Sequence, residues 1–427
     1  MTGTSITSVR GRRVWDSRGR PTVEAEVAVS CGIVGRAIAP AGASRGSGEA
    51  MELRDGGTAF GGQGVDRAVA QVNGPIAALL ERRDVADQAG LDAAMIALDG
   101  TPDKSKLGGN AMIAVSMAAL HAAAGAARVP LWRHLADTIG ATPRLPMPMI
   151  QIFGGGAHAA GRLDVQDFLM VPLAADSFDH ALAICAEVYA SAGKIMADAG
   201  KRSGVADEGG WWPNFDTNEE AIATAVRAIE KAGFRPGEDV GIALDIAATE
   251  LRQGGGYRLR REGKTLSGDE MIAMLTGWLK AYPIVSIEDP LAEDDWDATW
   301  RFTAGAGQVQ VIGDDLLVTN EMRVRRAVAT RAVNAVLIKP NQAGTITETL
   351  AALQAARDGG LATIVSARSG ESEDATIVHL ATGWDAGQLK VGSFARSERM
   401  AKWNEGLRVA EALGAAAFAG RKALAPL

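Results

Sequence analysis

Six apolar runs in the second half of the chain each end on a polar residue. They are GIALD ending at Asp245, PIVSIE at Glu288, VQVIGD at Asp314, AVLIK at Lys339, ATIVS at Ser366 and QLK at Lys390. The last five endings follow one another at 24–27 residues, the length of one strand, one helix and two loops in a repeating βα unit. Runs this short and this continuously apolar predict strands buried on both faces, as in a parallel sheet. Two further runs, Met147–Phe153 and Phe168–Pro172, precede a helical pattern over Phe178–Ala199, which brings the strands to eight. The prediction is an α/β fold whose C-terminal part is a (β/α)8 barrel. In such barrels the polar side chains at the C-terminal strand ends converge on one face.

Residues 1–138 lack this spacing. Alternating runs over Thr22–Val29 and Ile33–Ala39, joined by a turn at Cys31–Gly32, predict an antiparallel hairpin. Helical patterns follow from about Gly64 to Leu80 and from Asn110 to Ala127. This is the pattern of a separate α+β domain, with the proline-rich Pro143–Pro148 leading into a barrel domain over residues 139–427. The most apolar long stretch, Ala111–Val129, is mostly alanine and contains Ser116, His121 and Arg128. It reads as a packed helix rather than a membrane span.

Composition narrows the function classes. Hydrophobic content of 47% and charged content of 22% over 427 residues are those of a soluble globular protein with a large core. A net charge of −7 argues against a nucleic-acid or anionic-membrane partner. Cys31 and Cys185 form no CxxC and read as buried thiols in a reducing compartment. The start, MTGTSITSVRGRR, lacks the apolar segment of a secretory signal, so a cytoplasmic location is expected. Glycine-rich loops at Ala41–Gly48, Gly154–Gly156 and Gly209–Gly210 have neither the GxxxxGK[ST] form nor a Rossmann context, so no nucleotide site is expected.

The strand-end residues carry the chemistry. Asp245, Glu288 and Asp314 end three successive strands, and three ionised carboxylates held together repel unless a cation neutralises them. Each alone could be a solvated loop acid. All three at equivalent positions predict a hard divalent ion, and oxygen-only ligation favours Mg²⁺. Lys339 and Lys390 end neighbouring strands; a lysine beside a dication and a second ammonium has its pKa pushed down, which suits it to take a proton. The alternative for both is a structural ion pair. Removing a proton next to a carboxylate needs positive charge to hold the resulting enediolate, and a metal opposite a lysine meets that need. The pattern therefore predicts an enzyme.

Longer motifs extend this reading. DSRGRPTVEAEV from Asp16, GASRGSGEAMELRD ending at Asp55, GGAHA around His158 and DEGGWWPN around Glu208 are followed by LDIAATE, SIEDPLAEDDW, GDDLLVTN, IKPNQAGTITET, SARSGESED and ARSERMAKWN. In sequence and order the chain resembles the enolase family over essentially its whole length. Members of that superfamily pair a Lys or His base with Mg²⁺. The resemblance implies an N-terminal α+β capping domain, then a barrel built from two strands, two helices and six βα units. It implies that Asp245, Glu288 and Asp314 hold a firmly bound Mg²⁺ and that Ser44 joins a second one arriving with substrate. It further implies Lys339 as the base for the C2 proton, Lys390 on the substrate carboxylate, and Glu208 as the acid for the departing C3 hydroxyl. By the same resemblance Asp167 would support the acid side, Arg368 and Ser369 would bind phosphate, and His158 would lie in a closing loop. Gln166, Ala367 and Arg45 complete the residues expected at the substrate. The resemblance also implies a homodimer or an octamer of dimers, with Arg12–Glu411 and Glu24–Arg408 pairs across the interface or free as solvated charges.

Four departures from the family pattern fall in or beside the expected site. Ser-His-Arg-Ser is here Ser366-Ala367-Arg368-Ser369, Gln-Glu-Phe is Gln166-Asp167-Phe168, Ser-Thr-Gly is Ser44-Arg45-Gly46, and the Asn of Asn-Gly-Gly is Gly154. The metal set and both lysines are unchanged. The changes remove bulk near the substrate, shorten a carboxylate and add a cation at the lid. They lead to the expectation of a specialised paralogue such as a carboxyphosphonoenolpyruvate synthase of phosphonate biosynthesis, with an activated phosphonoformate as co-substrate. An ordinary enolase dehydrating 2-phosphoglycerate is the alternative, and a catalytically silent enolase-fold binding protein is the alternative from another class.

Overall fold

The computed structural model describes residues 3–43, 45–414 and 417–425. The chain opens with an antiparallel meander of β1 (Ile6–Trp15), β2 (Pro21–Val29) and β3 (Val34–Ile38). β2 and β3 are the predicted hairpin. β1 went unpredicted because it buries only Ile6, Val9 and Gly11 and exposes Arg10 and Arg13, so its alternation is faint. Cys31 is exposed in the hairpin turn and only Cys185 is buried, which corrects the expectation that both thiols lie inside.

The predicted helix ending at Leu80 is α1 (Asp66–Gln71) and α2 (Ala77–Leu80), joined by a wider π turn, Val72–Ile76, that accommodates Pro75. α3 (Gln88–Asp99), α4 (Gly109–Ala127) and α5 (Leu131–Ile139) follow. α4 lies across β2 and β3. A Cβ at Gly35 on β3 would overlap the backbone of Ala118 and Ala122, so the helix comes this close only over a glycine. α4 is long and apolar enough to cross a membrane, yet 78% of its apolar window is buried inside the molecule. It is the packed helix that its alanines predict.

The second half runs β4 (Met147–Gly154), β5 (Asp167–Val171), α6 (Phe178–Asp198), α7 (Asn218–Lys231) and β6 (Gly241–Asp245). Then come β7 (Arg252–Gln253), β8 (Gly256–Leu259), β9 (Lys264–Leu266), α8 (Gly268–Ala281), β10 (Ile284–Glu288), α9 (Trp296–Gly305) and β11 (Gln310–Gly313). The chain continues through α10 (Glu321–Thr330), β12 (Ala335–Ile338), α11 (Pro340–Ala343), α12 (Ile346–Asp358), β13 (Ala362–Ser366), α13 (Thr376–Gly383), β14 (Gly387–Gly392) and α14 (Ser397–Leu413). Among the described residues, β4, β5, β6 and β10 to β14 close into an eight-stranded barrel in chain order. β5 runs antiparallel to β4 and β6, so the barrel is two strands, two helices and six βα units, as expected. The wider interval between Asp245 and Glu288 holds a small sheet of β7, β8 and β9, which the spacing did not foretell.

The barrel interior is filled below the site by Met147, Met149, Leu169, Ala243, Ile312, Leu337 and Ile364. Burying a side chain of this size stabilises by roughly 1.5–3 kcal/mol, so the staves are held rigidly. Register then sets the level of the functional groups. Asp167 pairs with Asp245, Asp245 with Glu288, and Ser366 with Lys390.

Candidate active site

Two lysines and three strand-end acids form one side of the site. The Lys390 ammonium lies 2.8 Å from Asp245 Oδ2 and 2.8 Å from Glu288 Oε2, and 3.5 Å from Asp167 Oδ2. Lys339 is ion-paired with Asp314 Oδ2, whose other oxygen accepts a hydrogen bond from Gln342 Nε2 at 2.9 Å. Asp245, Glu288, Asp314 and Lys390 are buried, and Lys339 is largely so. Burial opposes the ammonium of Lys390, but Asp245 and Glu288 outweigh it and hold its pKa well above the ordinary value. For Lys339 burial is likewise overcome, by Asp314, and the pKa rises. This differs from the expected depression: in the protein alone the nearest charge to Lys339 is a carboxylate, not a cation.

The acids fit a hard dication. Glu288 Oε1 is buried with no hydrogen-bond partner, and burial, then Asp245, pushes the Glu288 carboxyl well above the usual range. Both facts describe a carboxylate short of positive charge. The donor set is oxygen only, as Mg²⁺ prefers. The three acids are nevertheless drawn onto the lysines; among the described residues, the three carboxylates that all come within 4.8 Å of one another are those of Asp289, Asp314 and Asp315. Asp289, at φ +40°, accepts the backbone N–H of Asp314 at 2.9 Å and of Asp315 at 2.7 Å, which orients the β11 end. Burial and then Asp314 raise Asp289 to about 8, and burial and then Asp289 raise Asp315 to about 9. Neither residue was anticipated, because an acid following a strand-end acid is the commonest form of a solvated loop.

The opposite side is built from β4, β5 and the loops after them. His158 Nδ1 lies 3.0 Å from Asp167 Oδ1, and its Nε2 lies 3.0 Å from Ser369 Oγ and 3.6 Å from Glu208 Oε1. Burial disfavours the imidazolium, but Glu208 and Asp167 prevail and raise His158 to about 9. At neutral pH both ring nitrogens therefore donate. Burial would raise Asp167, yet His158 and Lys390 bring it well below the usual carboxylate range. Gln166 Nε2 donates to Asp245 Oδ2 at 3.3 Å and links the two sides.

Arg368 forms the third side. Its guanidinium donates to Glu49 Oε2 at 2.9 Å, Glu49 Oε1 at 3.1 Å and Asn341 Oδ1 at 3.1 Å. Glu49 comes from the loop after β3, and its Oε1 also accepts the Gly46 N–H at 3.0 Å. That loop is thus tied to the barrel by one buried acid. Glu49 was missed although it lies inside a quoted motif, because nothing local distinguishes it from the neighbouring Glu52. One cavity connects the three sides, lined among others by His158, Gln166, Asp167, Glu208, Asp245, Lys339, Ala367, Arg368, Ser369 and Lys390.

A family model described as the enolase C-terminal TIM barrel domain matches residues 142–427, and one for the enolase N-terminal domain matches residues 6–135. The chain belongs to the enolase family. It is 51% identical over 421 residues to a protein named Enolase 1 from Desulfitobacterium hafniense (strain Y51), covering 98% of this chain and 96% of that one. As an enolase homologue it is an enzyme of the lyase type, with the fold that the motifs implied. Ten of the expected site residues line the cavity, and Glu288 and Asp314 lie against it through Lys390 and Lys339. Arg45 does not line it. Its guanidinium instead donates to the Ala50 carbonyl at 3.2 Å and contacts Met51 Sδ at 3.5 Å, because those acceptors lie within its own loop. Ser44 lies outside the described residues. Arg12 is ion-paired with Glu24 and, at 2.6 Å, with Glu26 of its own chain, while Arg408 pairs with Glu405 at 2.8 Å.

Proposed function

We propose that this protein is a Mg²⁺-dependent 2-phosphoglycerate dehydratase, producing phosphoenolpyruvate and water. The observation that carries this reading is that Lys339 and Glu208 line one cavity with Arg368, Ser369 and Lys390. A base, an acid and groups for a phosphate and a carboxylate are thus available to one small molecule. Lys339 Nζ takes the C2 proton, Glu208 delivers a proton to the C3 hydroxyl, water departs, and the C2–C3 double bond forms. Asp245, Glu288 and Asp314 would hold Mg²⁺, which would supply positive charge for the enediolate formed at C2 and would compete with Lys339 for Asp314. Lys390 holds the substrate carboxylate, and Arg368 with Ser369 holds the phosphate. His158, held protonated by Asp167 and Glu208, donates into the phosphate side through Ser369.

This favours the ordinary dehydratase over the expected specialised synthase. Half the residues are shared, over nearly the full length, with a protein named Enolase 1. One observation keeps the synthase as a second reading: Ala367 presents only a methyl group to the cavity where the family pattern has an imidazole. We also read residues 1–138 as the cap and 139–427 as the barrel domain, a second Mg²⁺ as arriving with substrate, and the protein as a cytoplasmic homodimer. The test is to mix protein, Mg²⁺ and 2-phosphoglycerate and follow phosphoenolpyruvate by absorbance, then repeat with an activated phosphonoformate. Phosphoenolpyruvate without the phosphonoformate supports the dehydratase. A new phosphonate product without dehydration would establish the synthase instead.

A further inference from the structure

We propose that Gln151 is a positioning residue that sets the two acid-side carboxylates relative to each other, and that its length, the short Asp167 and the bare Gly154 are one matched set. The proposal rests on the dehydratase reading above. Gln151 lies on β4, has no exposed surface, and engages both ends of its carboxamide. Its Nε2 donates to Asp167 Oδ1 and faces Glu208 Oε2 at 3.4 Å, while its Oε1 accepts the Gly210 N–H at 2.9 Å. The amide orientation follows from its neighbours: only the nitrogen can face two carboxylates, and only the oxygen can face an N–H. One side chain therefore holds the Asp167 carboxylate, the Glu208 carboxylate and the loop two residues beyond Glu208.

The space around this amide is already full. A Cβ at Gly154 would come 2.8 Å from Ala206 Cβ and 3.2 Å from Gln151 Oε1, and one at Gly210 would strike Gln151 Oε1. A side chain at residue 154 and the long carboxamide at residue 151 thus compete for one volume. Asp167 is the second half of the match, since a carboxylate one methylene longer would run into the amide nitrogen that now reaches it. Asp167 also accepts from His158 at 3.0 Å and lies 3.5 Å from Lys390, so a displaced Gln151 shifts the contacts of both.

The test is a cycle of four proteins: the natural chain, Gln151→Asn, Asp167→Glu and the double variant. Each single change misplaces the acid side by roughly 1 Å, so kcat should fall on the order of 100-fold with KM for 2-phosphoglycerate little changed, because Arg368, Ser369 and the metal ligands are untouched. The double variant moves one methylene from one partner to the other and should recover most of kcat. An unchanged kcat in Gln151→Asn, even with lowered stability, would overturn the proposal, as would a double variant whose loss is the product of the two single losses. Should the natural chain not turn over 2-phosphoglycerate, the dehydratase reading fails. The same four proteins then decide the matched set by urea unfolding: non-additive stabilities support it and additive ones overturn it.

Discussion

The metal side and the acid side of the cavity are made differently. Asp245, Glu288, Asp314, Lys339 and Lys390 sit at the ends of barrel strands, each followed by its own helix or loop, and all five match the family pattern. His158, Asp167, Gln151 and Glu208 sit on the antiparallel start of the barrel and its loops, and there Asp167 and Gly154 depart from the pattern. A strand end is fixed by the register of its neighbours, so its side chain cannot drift without breaking the sheet. On the acid side His158 and Glu208 come from loops and Asp167 begins β5, so how far each carboxylate reaches is set by the side chains around it, and a change at one can be absorbed by a change at another. Charge on the first side sets two lysines against three acids; on the second it is one imidazolium against two acids, with an amide as spacer.

If the metal side carries the proton abstraction, the largest effect belongs to Lys339. Lys339→Ala should lower phosphoenolpyruvate formation by about 10²–10⁴-fold, measured by absorbance. Unchanged turnover would remove the base from the account, and a scaffold role alone would leave no turnover to lose. Next is Lys390→Met, which strands Asp245 and Glu288. In chelator it should lose about 3–5 kcal/mol of unfolding stability, and Mg²⁺ should restore part of that loss because a dication replaces the missing charge. No metal-dependent recovery would contradict the fit of the acids to Mg²⁺.

The acid side is probed by pH. The His158 pKa is raised from 6.5 to about 9, so its stabilisation is fully present below about pH 6.5 and is lost as pH rises through about 9. Compared with His158→Gln, the natural chain should be more stable by about 3 kcal/mol at pH 6, with the advantage fading toward pH 10. An advantage that grows with pH would place the imidazole in the wrong charge state. The smallest effect is at Ala367. Ala367→His should change the dehydration rate by less than about tenfold, that is within about 1.4 kcal/mol, under the ordinary reading. A large gain would show that the methyl had been suppressing dehydration, as a specialised enzyme requires.

The same contrast explains what could be read from sequence. The strand-end acids and lysines were legible because apolar runs of constant spacing leave only their last residue free to be polar. The acid side needed family motifs, since no period relates His158, Asp167 and Glu208. Three contributors escaped both routes. Glu49 reaches Arg368 from the far side of the chain, Asp289 works through the backbone of Asp314, and Gln151 is a polar residue inside a strand that reads as buried. Arg45 failed the other way: its charge was visible, but the Ala50 carbonyl that holds it is a backbone group with no mark in the sequence.

The most direct measurement is exchange of the C2 proton of 2-phosphoglycerate with deuterated solvent, alongside phosphoenolpyruvate formation, in Lys339→Ala and Glu208→Gln. With Mg²⁺ present, Glu208→Gln should keep exchange while dehydration stops, and Lys339→Ala should lose both. Exchange that survives in Lys339→Ala and vanishes in Glu208→Gln would reverse the roles of the two sides and contradict the account.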